Sequence, residues 1–324
     1  MRHAAIPLIL ALSALPALAQ ETESGAENGP DGARVTAPTL EAVDPGRFAT
    51  RPSDIAYGAF QRGYYITALN LASPLALQGD PAAQTLVAEI YSRGLGVQRD
   101  PIRAAEFYEK AAEQNVPEAL FQFAMMLLED SPEFNDAERG YDLMKRAAEA
   151  GHRLAQFNLA QMIVARSTTE SGLAQAAVYY EKAAEAGLPD AQYAMAQLYR
   201  TGRGGKAADP EKARLWLEKA AAQNFDTAQI EFGTELVESN GGPEVDEAGF
   251  GWLMRAAQAG NPAAQNRVAK LYRSGVGVEA DRVTAVAWYL RARRAGLIDP
   301  VMEDQIDGLT EDELKLANSR AAVL

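Results

Sequence analysis

Small and large apolar positions recur along this chain with a period of about thirty-six residues. Alanines that open an apolar stretch stand at Ala83, Ala119, Ala155, Ala191, Ala228 and Ala264, spaced 36, 36, 36, 37 and 36 apart. Four and eight residues beyond each comes a large apolar pair: Val87/Tyr91, Phe123/Leu127, Leu159/Ile163, Met195/Tyr199, Phe232/Leu236 and Val268/Tyr272. Offset five is small throughout, Ala or Gly233. A spacing of four puts the large pair on one helical face, and the small neighbour lets another helix approach. The pattern predicts a first helix, A, in every period.

A second helix, B, follows. It carries the motif basic-Ala-Ala at Lys110, Arg146, Lys182, Lys219 and Arg255, then Arg291-Ala-Arg. Ahead of that motif runs a column of Phe107, Leu143, Tyr179, Trp216, Trp252 and Trp288, which holds all three tryptophans. This column is expected in the core, so Trp252→Ala should cost about 3–5 kcal/mol. Asp209-Pro210 starts such a helix, Asp as N-cap and Pro in the first turn. Each B helix ends at a Gly or Asn: Gly79, Asn115, Gly151, Gly187, Asn224, Gly260 and Gly296. These residues tolerate the left-handed conformation past a helix C-terminus, so positive φ is expected at all seven.

The periods predict an all-α fold, an α/α superhelical solenoid of about seven helix-turn-helix repeats with a C-terminal capping helix. Residues 51–80 form a first pair with a short turn, residues 81–298 six further repeats, and 299–324 leave the register. Thr310-Glu-Asp-Glu313 reads as a capping box that opens a last helix.

Ahead of the repeats, Arg2, the apolar run Ala4 to Leu15 and Ala17-Leu18-Ala19 have the order of a secretory signal peptide, cut after Ala19. The reading is a periplasmic protein with no later segment apolar enough to span a bilayer. Residues 20–50, rich in Gly, Pro and Glu, read as a disordered lead-in. Net charge is −13, and −14 once Arg2 is removed. An acidic surface repels phosphate backbones, which argues against nucleic acid as a partner. Cysteine is absent, so the fold must stand without disulfides or thiolate chemistry.

Candidates for catalysis are few. His152 remains as a turn residue between repeats, read as solvated. Gly94-x-Gly96 and Gly202-Arg-Gly204 lie between helices, not between a strand and a helix, and lack the further residues of phosphate loops. No catalytic, metal or cofactor site is predicted.

Ala83 to Asn115 and Ala264 to Gly296 are similar to the Sel1-like repeat. They carry Gly94-Leu-Gly96-Val97 with Asp100, and Gly275-Val-Gly277-Val278 with Asp281. Asp130-Ser-Pro132, Arg166-Ser-Thr168 and Ser239-Asn-Gly241 replace that loop in the middle repeats. The resemblance implies a tetratricopeptide-like solenoid whose concave A-helix face binds proteins. Similar exported proteins of rhizobia repress exopolysaccharide production by holding down a membrane sensor kinase, which implies a membrane sensor or envelope protein as partner. The alternatives are a cell-wall-related enzyme of the penicillin-binding Sel1 type and a structural organiser of envelope assemblies. The first is disfavoured because that framework is disulfide-bonded.

Offsets two, six and nine of helix A make the candidate stripe. It is apolar in two repeats, Phe121/Met125/Leu128 and Phe157/Gln161/Val164, and polar in two later ones, Tyr193/Gln197/Arg200 and Asn266/Lys270/Arg273. Phe121, Met125 and Phe157 are expected either to anchor a partner or to pack against neighbouring helices. Exposure below a tenth decides for packing.

Overall fold

The computed structural model describes residues 52–129, 131 and 133–324. The expected signal peptide and lead-in, and Asp130 and Pro132 of the third helix pair, lie outside the described residues. All regular structure among the described residues is helical, as the periods predict. Two compact units follow one another, the first ending at His152 and the second beginning at Arg153.

The first unit holds α1 (Pro52–Gln61), α2 (Tyr65–Leu77), α3 (Pro81–Arg93), α4 (Pro101–Glu113), α5 (Pro117–Leu128) and α6 (Ala137–Glu149). The second holds α7 (Arg153–Arg166), α8 (Glu170–Glu185), α9 (Pro189–Thr201), α10 (Pro210–Ala222) and α11 (Asp226–Glu238). It continues with α12 (Pro243–Gln258), α13 (Pro262–Ser274), α14 (Arg282–Arg294), α15 (Pro300–Asp307) and α16 (Glu311–Val323). In each unit every odd-numbered helix up to α13 packs on the even one after it. After α14 the register ends, and two helices, α15 of 8 residues and α16 of 13, close the array, not one. Thr310 and Glu313 form the expected capping box at α16.

The helix ends explain why the pairs are so regular. Asp209 accepts a hydrogen bond from the Lys212 N–H at 3.0 Å, with Pro210 in the first turn. Asp80, Asp100, Asp136 and Asp281 cap their helices in the same way. Each satisfies an N–H that the first turn leaves free. At the B-helix ends all seven Gly and Asn residues have positive φ, from 59° at Asn115 to 97° at Gly260. The following residue closes the turn: the Leu188 N–H donates to the Ala183 carbonyl, and the Asn261 N–H to that of Ala256. These are Schellman turns.

Five A helices carry a glutamine one residue after the opening alanine: Gln84, Gln156, Gln192, Gln229 and Gln265, all buried. Gln84, Gln192, Gln229 and Gln265 donate to carbonyls eight residues back, those of Ala76, Ala184, Ala221 and Ala257. Each amide thus ties the start of an A helix to the last turn of the B helix before it. Leu120 replaces it in α5 and is fully buried.

The aromatic column sits elsewhere than expected. Trp288 is buried, but Trp216 and Trp252 are half-buried. The deep position is the next residue, in every repeat: Tyr108, Met144, Tyr180, Leu217, Leu253 and Tyr289 are at most 2% exposed. One residue is about 100° around a helix, which carries Trp216 and Trp252 to the edge of the core. There the basic residue three positions on covers the ring, Lys219 Nζ 4.1 Å from the Trp216 centroid and Arg255 4.4 Å from that of Trp252. These are cation–π contacts. Trp252→Ala should therefore cost less than the 3–5 kcal/mol typical of a fully buried aromatic.

Candidate functional site

The stripe at offsets two, six and nine of the A helices divides into a covered part and a displayed part. Phe121 is 5% exposed and Phe157 3%, and Gln161 is buried as well, so these three do not present themselves to a partner. Their cover is specific. Phe121 lies under the His152 ring, centroids 4.4 Å apart at 22°. Phe157 packs on Tyr180, centroids 5.7 Å apart. Seven consecutive residues of α7, Ala155 to Gln161, are buried, so that helix is enclosed around its whole circumference. Met125 is half-buried.

His152 is not a solvated turn residue either. Its side chain is 14% exposed, and its Nε2 lies 3.0 Å from Glu118 Oε2. That hydrogen bond, with a smaller one from Gln122, holds the Glu118 carboxyl below the usual carboxylate range against the opposing effect of burial.

In α9 and α13 of the second unit the stripe is polar and grips carboxylates. Tyr193 OH donates to Glu231 Oε1 at 2.6 Å, Gln197 Nε2 to Glu231 Oε2 at 3.1 Å, and Arg200 Nη1 to the same oxygen at 2.7 Å. Arg200 Nη2 also approaches Glu235 at 3.9 Å. Burial, then the bond to the Glu231 carboxylate, raises the Tyr193 hydroxyl above its ordinary value. Two repeats later, Asn266 Nδ2 donates to Asp299 Oδ2 at 2.8 Å, and Lys270 Nζ lies 2.5 Å from that oxygen. The Lys270 and Asn266 contacts hold the Asp299 carboxyl below its ordinary range. Arg200 and Lys270 remain exposed, while Tyr193 and Gln197 are half-buried. Sequence reasoning found the donors but missed Glu231 and Asp299. The available signal was the acidic composition of α11, which holds Asp226, Glu231, Glu235 and Glu238 and no basic residue of its own.

The Gly-x-Gly loops are packing devices. Gly204 has φ +64°, a Cβ there would lie 3.3 Å from Ala177 of α8, and its N–H donates to Glu170. Gly96 sits on Tyr65 and Ile66 of α2 in the same manner. The second glycine is thus closed against a helix of the preceding repeat, leaving no open cradle for a phosphate. Among the described residues no group of three His, Cys, Asp or Glu side chains is placed to hold a metal ion. No helix among them is long and apolar enough to cross a membrane.

The Sel1 repeat family model matches six consecutive segments, 81–116, 117–152, 153–188, 189–225, 230–261 and 262–297. The chain belongs to the Sel1 repeat family. Sel1 repeat proteins are generally scaffolds for protein interaction, and their fold is typically non-catalytic. A Sel1 repeat protein from Oxalobacter formigenes has a crystal structure similar to this one. It is 29% identical with a TM-score of 0.62, covering 84% of this chain and 83% of that one. The protective antigen c5321 of uropathogenic Escherichia coli shares the fold, at 24% identity and a TM-score of 0.50 over 84% of this chain and 71% of that one. Chitin synthase regulatory factor 3 of Schizosaccharomyces pombe is 29% identical over 237 residues, 71% of this chain. The Sel1 chain spans only 25% of that relative's length.

Proposed function

We propose that this Sel1 repeat protein is an exported, non-catalytic scaffold of the periplasm that binds an envelope protein and regulates it. The match of six successive Sel1 repeats carries the scaffold part of this reading. Displayed polar positions on the A helices, Arg200 and Lys270 among them, supply contacts that a partner can reach. The regulatory part draws support from the fission yeast relative, whose name is that of a regulatory factor. Export rests on Arg2, the apolar run Ala4 to Leu15 and the small-x-small end at Ala17 to Ala19.

Two measurements test it. N-terminal sequencing of the protein recovered from a periplasmic fraction should begin at Gln20; an intact Met1 in a cytoplasmic fraction overturns export. Crosslinking and affinity capture from the envelope should return one protein in near-stoichiometric yield. Recovery of nothing beyond what a scrambled-repeat control recovers overturns the scaffold reading.

A further inference from the structure

The carboxylate grip recurs at one register, and its last copy is incomplete. In α9, offsets two, six and nine all hold a carboxylate, with Arg200 at offset nine reaching both Glu231 and Glu235. In α13 the equivalent residues are Asn266, Lys270 and Arg273. Asp299 engages only the first two, because it reaches them from the N-cap of α15 and not from a full A helix. Arg273 is exposed and forms no ion pair among the described residues, and the same holds for Arg267 six residues earlier. Helix α13 carries Arg267, Lys270 and Arg273 and no acidic residue. Over 262–297 seven Lys and Arg residues meet two Asp and Glu, in a chain of net charge −13.

We propose that the face of α13 bearing Arg267, Lys270 and Arg273 docks an acidic helical segment of the partner protein, with two carboxylates spaced four residues apart. The pair Glu231 and Glu235 on Arg200 is the pattern within the molecule: one oxygen at 2.7 Å and a second carboxylate at 3.9 Å, one turn away. An incoming segment of that spacing gives Arg273 the partners Arg200 already has. A positive face on an acidic protein steers and orients such a segment, and repels the rest of an acidic surface less than its surroundings do. This inference rests on the scaffold reading and names the chemistry of its partner.

Fluorescence anisotropy tests it, using a labelled helical peptide with Glu at positions i and i+4 and a twin with Gln in their place. At low ionic strength the whole protein should bind the Glu peptide and not its twin, and added salt should weaken binding. Arg273→Gln and Arg267→Gln should each weaken it roughly two- to five-fold. Arg294→Gln, an equal charge change at an exposed position on α14, should leave it unchanged. Equal losses in all three variants, equal binding of both peptides, or no binding overturn the proposal. So does co-sedimentation with anionic phosphatidylglycerol vesicles in place of peptide binding. If wild type and Arg273→Gln capture the same envelope protein equally well, the scaffold reading stands and this inference falls.

Discussion

Helices α5 and α13 occupy the same place in two repeats and use the same three positions in opposite ways. In α5 the stripe is Phe121, Met125 and Leu128, and the ring of His152 closes over its first member. In α13 it is Asn266, Lys270 and Arg273, which hold one carboxylate and leave one guanidinium open to solvent. The backbone scaffolding is alike, with the same opening alanine, the same small residue at offset five, and the same Schellman turn closing the B helix behind. Sel1 architecture therefore sets where the stripe lies and leaves its chemistry free. An apolar stripe is used up in packing, and a polar stripe remains for ion pairs within the chain or beyond it.

The largest effect expected from this contrast is at its first position. Phe121→Ala removes a side chain that is 5% exposed and should destabilise the protein by about 3–5 kcal/mol in urea melts. Asn266→Ala, at the same register, loses one hydrogen bond to Asp299 and should cost about 1 kcal/mol. Equal losses would mean that the two stripes are not used differently.

His152→Ala comes next. It takes away a stacked ring and a hydrogen bond to Glu118, and should cost about 1–2 kcal/mol at neutral pH. The Glu118 carboxyl is held low in the folded protein, so its contribution is complete above the unfolded carboxylate value. It fades as pH falls through the lower folded one. Acid unfolding of His152→Ala should accordingly be shallower over that range than for the wild type.

The last repeat has its own acid-sensitive contact. Asp281 caps α14. Burial opposes its ionisation but is outweighed by the Thr284 N–H and hydroxyl and by Arg320 of α16, which bring the carboxyl down to about 2. An unfolded Asp titrates near ~3.9. The bond between α14 and α16 should thus weaken as pH drops from about 4 toward 2, and be fully present above. Trp288 fluorescence should report the change, and Arg320→Gln should reduce it while the Thr284 hydrogen bonds keep part of it.

Much of this was legible in the sequence, and the failures have physical causes. A column repeated at a fixed spacing reveals helices, turns and their order. Hence the seven positive-φ residues, the Asp209 cap and the Thr310–Glu313 box all follow from local chemistry. Depth is harder to read. The tryptophan column and the one beside it share a period and differ by a single residue, and size alone pointed to the wrong one. Only the basic residue three positions after each aromatic hinted that the ring needed a charged cover. The carboxylates that complete the grip were illegible for another reason. Glu231 sits 31 to 38 residues from its donors, and Asp299 belongs to no repeat. Neither falls in a column.

The smallest expected effect is also the one most diagnostic of the polar stripe. Lys270→Gln removes a half-exposed ammonium from Asp299 while keeping a polar side chain one atom shorter and leaving Asn266 in place. Exposed ion pairs contribute little, so the loss should stay below about 1 kcal/mol and shrink further at high salt. Asp299 also caps α15 through the Val301 N–H, and that bond is untouched. The Asp299 carboxyl should nonetheless rise toward its ordinary range, since Lys270 is the chief influence holding it down. A titration by NMR that finds no rise would place the hold on Asp299 in Asn266 and the helix cap. The α13 stripe would then be a set of separate surface charges. A rise with little loss of stability would mean that Lys270 is held by Asp299 only loosely, which leaves it able to turn toward a second carboxylate beside Arg273.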